Sequence, residues 1–206
     1  MKNLSGLIFV SAIILFTCSI ASGQSSKMLE AFTKSYEYEA NADYVNAISV
    51  MESVYEQDSY ELNIRLGWLS YKAGDYQKSL DYYGKSINLM PYSIEPKLGY
   101  NLPASALKNW DDVASKYKSI LEIDPQNTFV LYQLGNIYYE RKDFANAYAN
   151  FEKVVNLYPF DFDSVLMFAW TNYQMGKLRE AKVLFGKALL ISPSNQSANE
   201  GMNLVK

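Results

Sequence analysis

The sequence predicts an all-α fold, a solenoid of about five helix-turn-helix units. Three observations lead there. Pro91, Pro125, Pro159 and Pro193 stand 34 residues apart each time, and a fixed period of that size marks a stacked supersecondary unit. Each proline closes an apolar stretch, INLMP, LEIDP, VNLYP or LLISP. Within a block, apolar residues recur at i, i+3, i+4 and i+7, the period of an amphipathic helix.

The elements follow in chain order. Residues 1–23 carry one charge, Lys2, then an apolar run from Leu7 to Cys18, then Ala21-Ser22-Gly23 before Gln24. A basic start, an apolar core and a small-x-small site are the parts of a secretory signal peptide cleaved after Gly23. Two other readings stay open. Leu4 to Ile20 is 17 residues, at the lower limit for a retained membrane anchor. Cys18 after Leu15-Phe16-Thr17 is a poor match to a lipidation site. A first hairpin, 28–59, is marked by Asp43-Tyr44, Ala47, Met51 and Val54 and lacks a closing proline. Block 60–93 has a first run LGWLSY (66–71), a turn AGDY (73–76) and a second run ending at Pro91. Block 94–127 is irregular. Pro96 is harmless near a helix start, but Pro103 falls mid-helix, where proline costs about 3 kcal/mol and kinks the chain. That kink bends the inner face, or frees the Gly99 carbonyl for a ligand, or is a tolerated irregularity. Block 128–161 runs through LGNIYY (134–139) and RKDF (141–144), and block 162–195 through FAWTNY (168–173) and MGKL (175–178). Residues 196–206 carry Ala198 and Gly201 where a further first helix would begin, as a cap or a frayed tail.

These blocks resemble tetratricopeptide repeats, the 34-residue helix-turn-helix unit with small and large residues at set offsets. Block 128–161 carries Leu134-Gly135, Tyr138, Ala147, Phe151 and Pro159 at the family positions. Block 60–93 offers Leu66-Gly67, Tyr83 and Pro91, with Ser79 and Ser86 where small residues belong. Block 162–195 offers Phe168-Ala169, Ala181, Phe185, Ala188 and Pro193, while block 94–127 keeps Tyr117 and Pro125. The resemblance implies a right-handed superhelix in which Tyr83, Phe151 and Phe185 fill space left by Gly67, Gly135 and Ala169.

The resemblance also implies a concave groove lined by the first helix of each repeat. Its positions here give Tyr36, Trp68, Tyr71, Tyr132, Asn136, Tyr139, Trp170 and Tyr173. Several of these are expected to pack against neighbouring helices, and the rest to form rigid contact area with polar tips for a peptide or partner helix. Clamping an acidic C-terminal tail needs Lys and Asn in successive first helices. Only Asn136 is suitably placed, and Tyr132 stands where Lys is required.

Composition narrows the chemistry. The 206 residues contain no histidine and one cysteine, so the commonest general base and metal ligand are missing, and neither an internal disulfide nor a Cys₂His₂ or Cys₄ zinc site can form. A net charge of -3 argues against nucleic acid as a partner. Asp111-Asp112 fits a helix start, where carboxylates answer the dipole. Ser115-Lys116 and Ser119 fall at ordinary helix-surface positions. No cofactor, metal or catalytic site is expected. The expectation is a non-catalytic interaction module or scaffold of the cell envelope, periplasmic or secreted, binding a protein or peptide. A membrane enters only if 1–23 is retained or Cys18 is lipidated. The alternatives are a glycan-binding accessory protein using the same aromatics, and a membrane-anchored structural subunit.

Overall fold

The computed structural model describes residues 26–206; the expected export segment, with Cys18 and Gly23, lies outside the described residues. Those described form eleven helices and no strand. They are α1 (26–40), α2 (Tyr44–Glu52), α3 (Tyr60–Lys72), α4 (Tyr76–Leu89), α5 (Glu95–Ala106), α6 (Trp110–Leu121), α7 (Thr128–Glu140), α8 (Phe144–Leu157), α9 (Phe162–Gln174), α10 (Leu178–Ile191) and α11 (Gln196–Leu204). Pro91, Pro125, Pro159 and Pro193 lie in the connections after α4, α6, α8 and α10, where a residue without an N–H cannot prolong the helix. No described helix is long and apolar enough to cross a membrane.

The five hairpin turns share one construction. Ala42, Gly74, Lys108, Lys142 and Gly176 each take a left-handed φ between 56° and 82°. The residue after each donates its N–H back to the closing turn of the first helix, as Asp143 does to the Tyr138 carbonyl at 2.9 Å. That 6→1 bond ties off carbonyls the helix end leaves free. The same residue then opens the second helix. Asp43, Asp75 and Asp143 accept the backbone N–H three residues on, whereas Asn109 and Lys177 make no such side-chain bond.

The chain divides into two compact units, one running to Pro103 and the other starting at Ala104. The division falls inside α5, at its interior proline. In the first unit, Met51, Leu62, Leu66 and Leu69 are fully buried and pack with Ala47 and Tyr82. Tyr83 is buried against two glycines. A Cβ on Gly67 would stand 3.1 Å from its ring, and one on Gly99 only 2.3 Å away. Ser79 is buried because its hydroxyl donates to the Gly67 carbonyl at 2.7 Å. α2 is shorter than the other second helices. Val54, one of the markers of the first hairpin, sits in the turn after Glu52. This early exit lets Tyr55 pack edge-on against Tyr82, with ring centroids 5.7 Å apart, and donate its hydroxyl to Asn63 at 3.0 Å.

The second unit is held by Ala147, Phe151, Val165, Ala169, Ala181, Phe185, Ala188 and Ala198, all fully buried. Phe151 lies where a Cβ on Gly135 would come within 2.7 Å. Phe185 presses on Gly201 of α11, where a Cβ would come within 2.2 Å. Residues 196–204 are thus a docked helix, capped at its start by Asn195.

Candidate functional site

The candidate residues fall in both units. In the first, Tyr36 from α1 and Trp68 from α3 line one cleft of about 470 Å³, together with Tyr60, Arg65, Glu95 and Leu102. Arg65 organises the local geometry. Its side chain is buried, its Nε donates to the Ser35 hydroxyl at 3.0 Å, and its Nη1 pairs with Glu39 at 2.5 Å. The Tyr36 ring lies over the guanidinium, 3.8 Å from carbon to centroid. Trp68 donates its indole N–H to the other Glu39 oxygen. Burial works to raise the Glu39 carboxyl. The bonds from Trp68 and Arg65, and the Arg65 charge, outweigh it and hold that carboxyl below its ordinary value. Tyr71 is placed differently, between Trp68 and Tyr76, with centroids 5.9 Å from each.

In the second unit the candidate residues fall in three places. Tyr132 packs edge-on against Phe151 at 5.9 Å and beside a cleft of about 350 Å³ that Phe129, Tyr158 and Asp163 share. Burial pushes the Tyr132 hydroxyl up, opposed by its bond with Asn136. Asn136 faces a second cleft, of about 760 Å³, beside Trp110 and Tyr117. Ser105 stands there at the register that carries Tyr71, Tyr139 and Tyr173 in other repeats. Tyr139 packs on Phe144 at 5.5 Å, whereas Ser105 offers Trp110 no ring, and the indole remains half exposed. Burial raises the Tyr139 hydroxyl too, against its bond with Gln174. Trp170 and Tyr173 pack together at 5.7 Å. Trp170 also lies 4.9 Å from Phe185 and donates to Ser197 of α11 at 2.9 Å, so its indole is committed to the C-terminal helix.

Sequence reasoning did not select Glu39, Arg65, Tyr60 or Trp110. Glu39 and Arg65 read as ordinary helix charges until α1 is laid on α3. The signal for Trp110 was present: an aromatic opens α6 while the partner register holds Ser105. Among the described residues no group of His, Cys, Asp and Glu is arranged to hold a metal, and the hydroxyl of Ser119 donates to the Lys116 carbonyl at 2.8 Å.

Residues 128–161, which form α7 and α8, match the family model of the tetratricopeptide repeat. A tetratricopeptide repeat protein from Parabacteroides merdae superposes with a TM-score of 0.74 at 19% identity, over 87% of this chain and 72% of that one. This chain carries the tetratricopeptide-repeat fold. The MamA protein gives a TM-score of 0.72 at 16% identity over 82% of this chain and 93% of its own. MamA from Desulfovibrio magneticus RS-1 gives 0.69 at 16% identity, over 82% and 97%. No curated protein matches the sequence. The tetratricopeptide fold is in general a protein-interaction scaffold, in keeping with clefts built from aromatic rings and amide groups.

Proposed function

We propose that the chain is a non-catalytic scaffold of the cell envelope that holds a peptide or a partner protein against the aromatic residues of its first-of-pair helices. The observation that carries this reading is the cleft shared by Tyr36 and Trp68. Tyr36 is 56% exposed, and the fixed Glu39–Arg65 pair holds both rings in place before any partner arrives. Rings ordered in advance lose little conformational freedom on binding. Asn136, which lines the Trp110 cleft, and Tyr139, packed on Phe144, are the corresponding contacts proposed for the second unit.

Crosslinking capture from native envelope, made with the wild type and with Trp68→Ala and Tyr139→Ala singly and together, tests the reading. Loss of one specific protein in the double variant is expected, and capture indifferent to both substitutions overturns it. The envelope location rests on residues 1–23 serving as an export signal. Mass spectrometry of the native N-terminus is expected to find a chain starting at Gln24. A chain that retains Met1 overturns cleavage and favours the anchored subunit.

A further inference from the structure

We propose that the cleft of the first unit receives a cationic side chain, Lys or Arg, carried on an extended segment of the partner; this deepens the scaffold reading and rests on it. The walls are aromatic, supplied by Phe32, Tyr36, Tyr60 and Trp68. Glu61 and Glu95 stand among the same lining residues, and both are exposed. Ring faces flanked by carboxylates attract a cation twice, through the ring quadrupole and through charge.

The charges already in the cleft favour the same ligand. Among the described residues that line it Arg65 is the one cationic side chain, and Glu39 answers that charge; Lys72, outside that lining, lies over the Trp68 ring 5.5 Å from its centroid. Neither Glu61 nor Glu95 has an ion-pair partner among the described residues. Glu61 accepts from the Ser59 hydroxyl at 3.2 Å through one oxygen, and Glu95 accepts from the Tyr60 hydroxyl at 3.1 Å, also through one. Each keeps a second oxygen for a partner. Tyr36 offers an open ring face, since Arg65 covers only one side.

A second, independent observation concerns Arg65 itself. The residue is 5% exposed and its Nη2 is buried with no hydrogen-bond partner. A buried donor left unmatched is costly, and Arg65 is itself one of the residues that line the cleft. A carboxylate ligand would have to approach Glu61 and Glu95. A main-chain carbonyl of an extended segment supplies the acceptor without charge, while a basic side chain of that segment answers the two carboxylates. One ligand chemistry therefore satisfies both features.

The test uses the ¹⁵N-labelled full chain and its three tryptophans. Trp68 reports on the cleft, while Trp110 and Trp170 lie in the second unit and serve as references. The chain is titrated with N-acetyl-arginine methylamide, and separately with the leucine and glutamate equivalents. The arginine probe is expected to move the Trp68 indole N–H at roughly tenfold lower concentration than the other two. Glu61→Gln with Glu95→Gln, whose amides keep the acceptors for Ser59 and Tyr60, should weaken that response about tenfold. Added salt should weaken it further. Three results overturn the proposal: a glutamate probe as effective as arginine, no probe moving Trp68, or an unchanged response in a double variant with an unaltered melting curve. A partner captured through Trp68 yet indifferent to both carboxylates overturns this inference and leaves the scaffold reading standing. Capture indifferent to Trp68 and Tyr139 removes the scaffold reading itself.

Discussion

Tyr83 and Phe185 each press on a glycine that belongs to the helix after their own hairpin. A methyl group at Gly201 would come within 2.2 Å of the Phe185 ring, and one at Gly99 within 2.3 Å of Tyr83. A ring wedged at full burial has no rotamer to escape into, so Gly201→Ala should cost about 1–3 kcal/mol. Urea melts measure it, and Phe185→Leu in the same chain should restore part of the loss. The repeat pattern leads to the rings and to Gly67 and Gly135 inside their own hairpins. It places Gly201 in a further helix but pairs neither it nor Gly99 with a ring, because that register holds Arg65, Gln133 and Met167 in the other repeats. The second glycine follows from which helix comes next, which no single block encodes. Glu39 and Arg65 escape notice for the same reason, being 26 residues apart. Their pairing has a pH signature. A carboxyl held low in the folded state stabilises it above the unfolded value, about 4.3, and that stabilisation is lost as pH falls through the folded value. Glu39→Gln should therefore melt below the wild type at pH 7, and the two curves should converge in acid. A constant gap at all pH values would detach the pair from stability.

At the scale of the helix, the hairpin turns show what a repeat pattern can and cannot fix. Proline spacing places the connections after each second helix because proline ends a helix wherever it falls. The left-handed residue inside each hairpin is less legible, since Gly74 and Gly176 announce it while Ala42, Lys108 and Lys142 do not. A side chain there crowds the following carbonyl, at roughly 1–2 kcal/mol for an L-residue. Lys142→Gly should relieve that crowding against a larger unfolded-state entropy, leaving a net gain of about 0.5–1 kcal/mol. Chemical denaturation of the single variant checks the sign. One residue later, Asp143 caps α8 by accepting the Asn146 N–H at 3.2 Å, so Asp143→Ala should lose about 1 kcal/mol. Four residues further, Ala147 is fully buried beneath α7, and Ala147→Trp should overpack the hairpin by about 1–3 kcal/mol or more. An unchanged midpoint for that last variant would contradict the helix register.

Across the molecule, stability has to be shared between neighbouring repeats, because one helical pair cannot bury its own faces. The last hairpin, α9 and α10, shows the consequence. Its inner faces carry Phe185, Ala169 and Trp170, and α11 covers them. Gly201 admits the Phe185 ring, Ser197 takes the Trp170 indole N–H, and Val205 joins the same buried cluster. The sequence shows a helix beginning at 196 but not whether it docks, because Ala198 and Gly201 carry no bulk of their own. What fixes it is the shape of the surface below, a phenylalanine ring matched to the missing side chain of a glycine. Removing residues 196–206 should therefore expose Phe185 and free the Trp170 indole. At about 1.5–3 kcal/mol for a large apolar side chain returned to water, with further loss around it, the cut should cost about 2–4 kcal/mol. Two readouts separate docking from a passive tail. The truncated chain should unfold at lower urea concentration, and Trp170 fluorescence should shift to the red while Trp68 retains its environment. A truncated chain with an unchanged midpoint and spectrum would mean that α11 contributes nothing, and that the Phe185–Gly201 fit does not hold it in place.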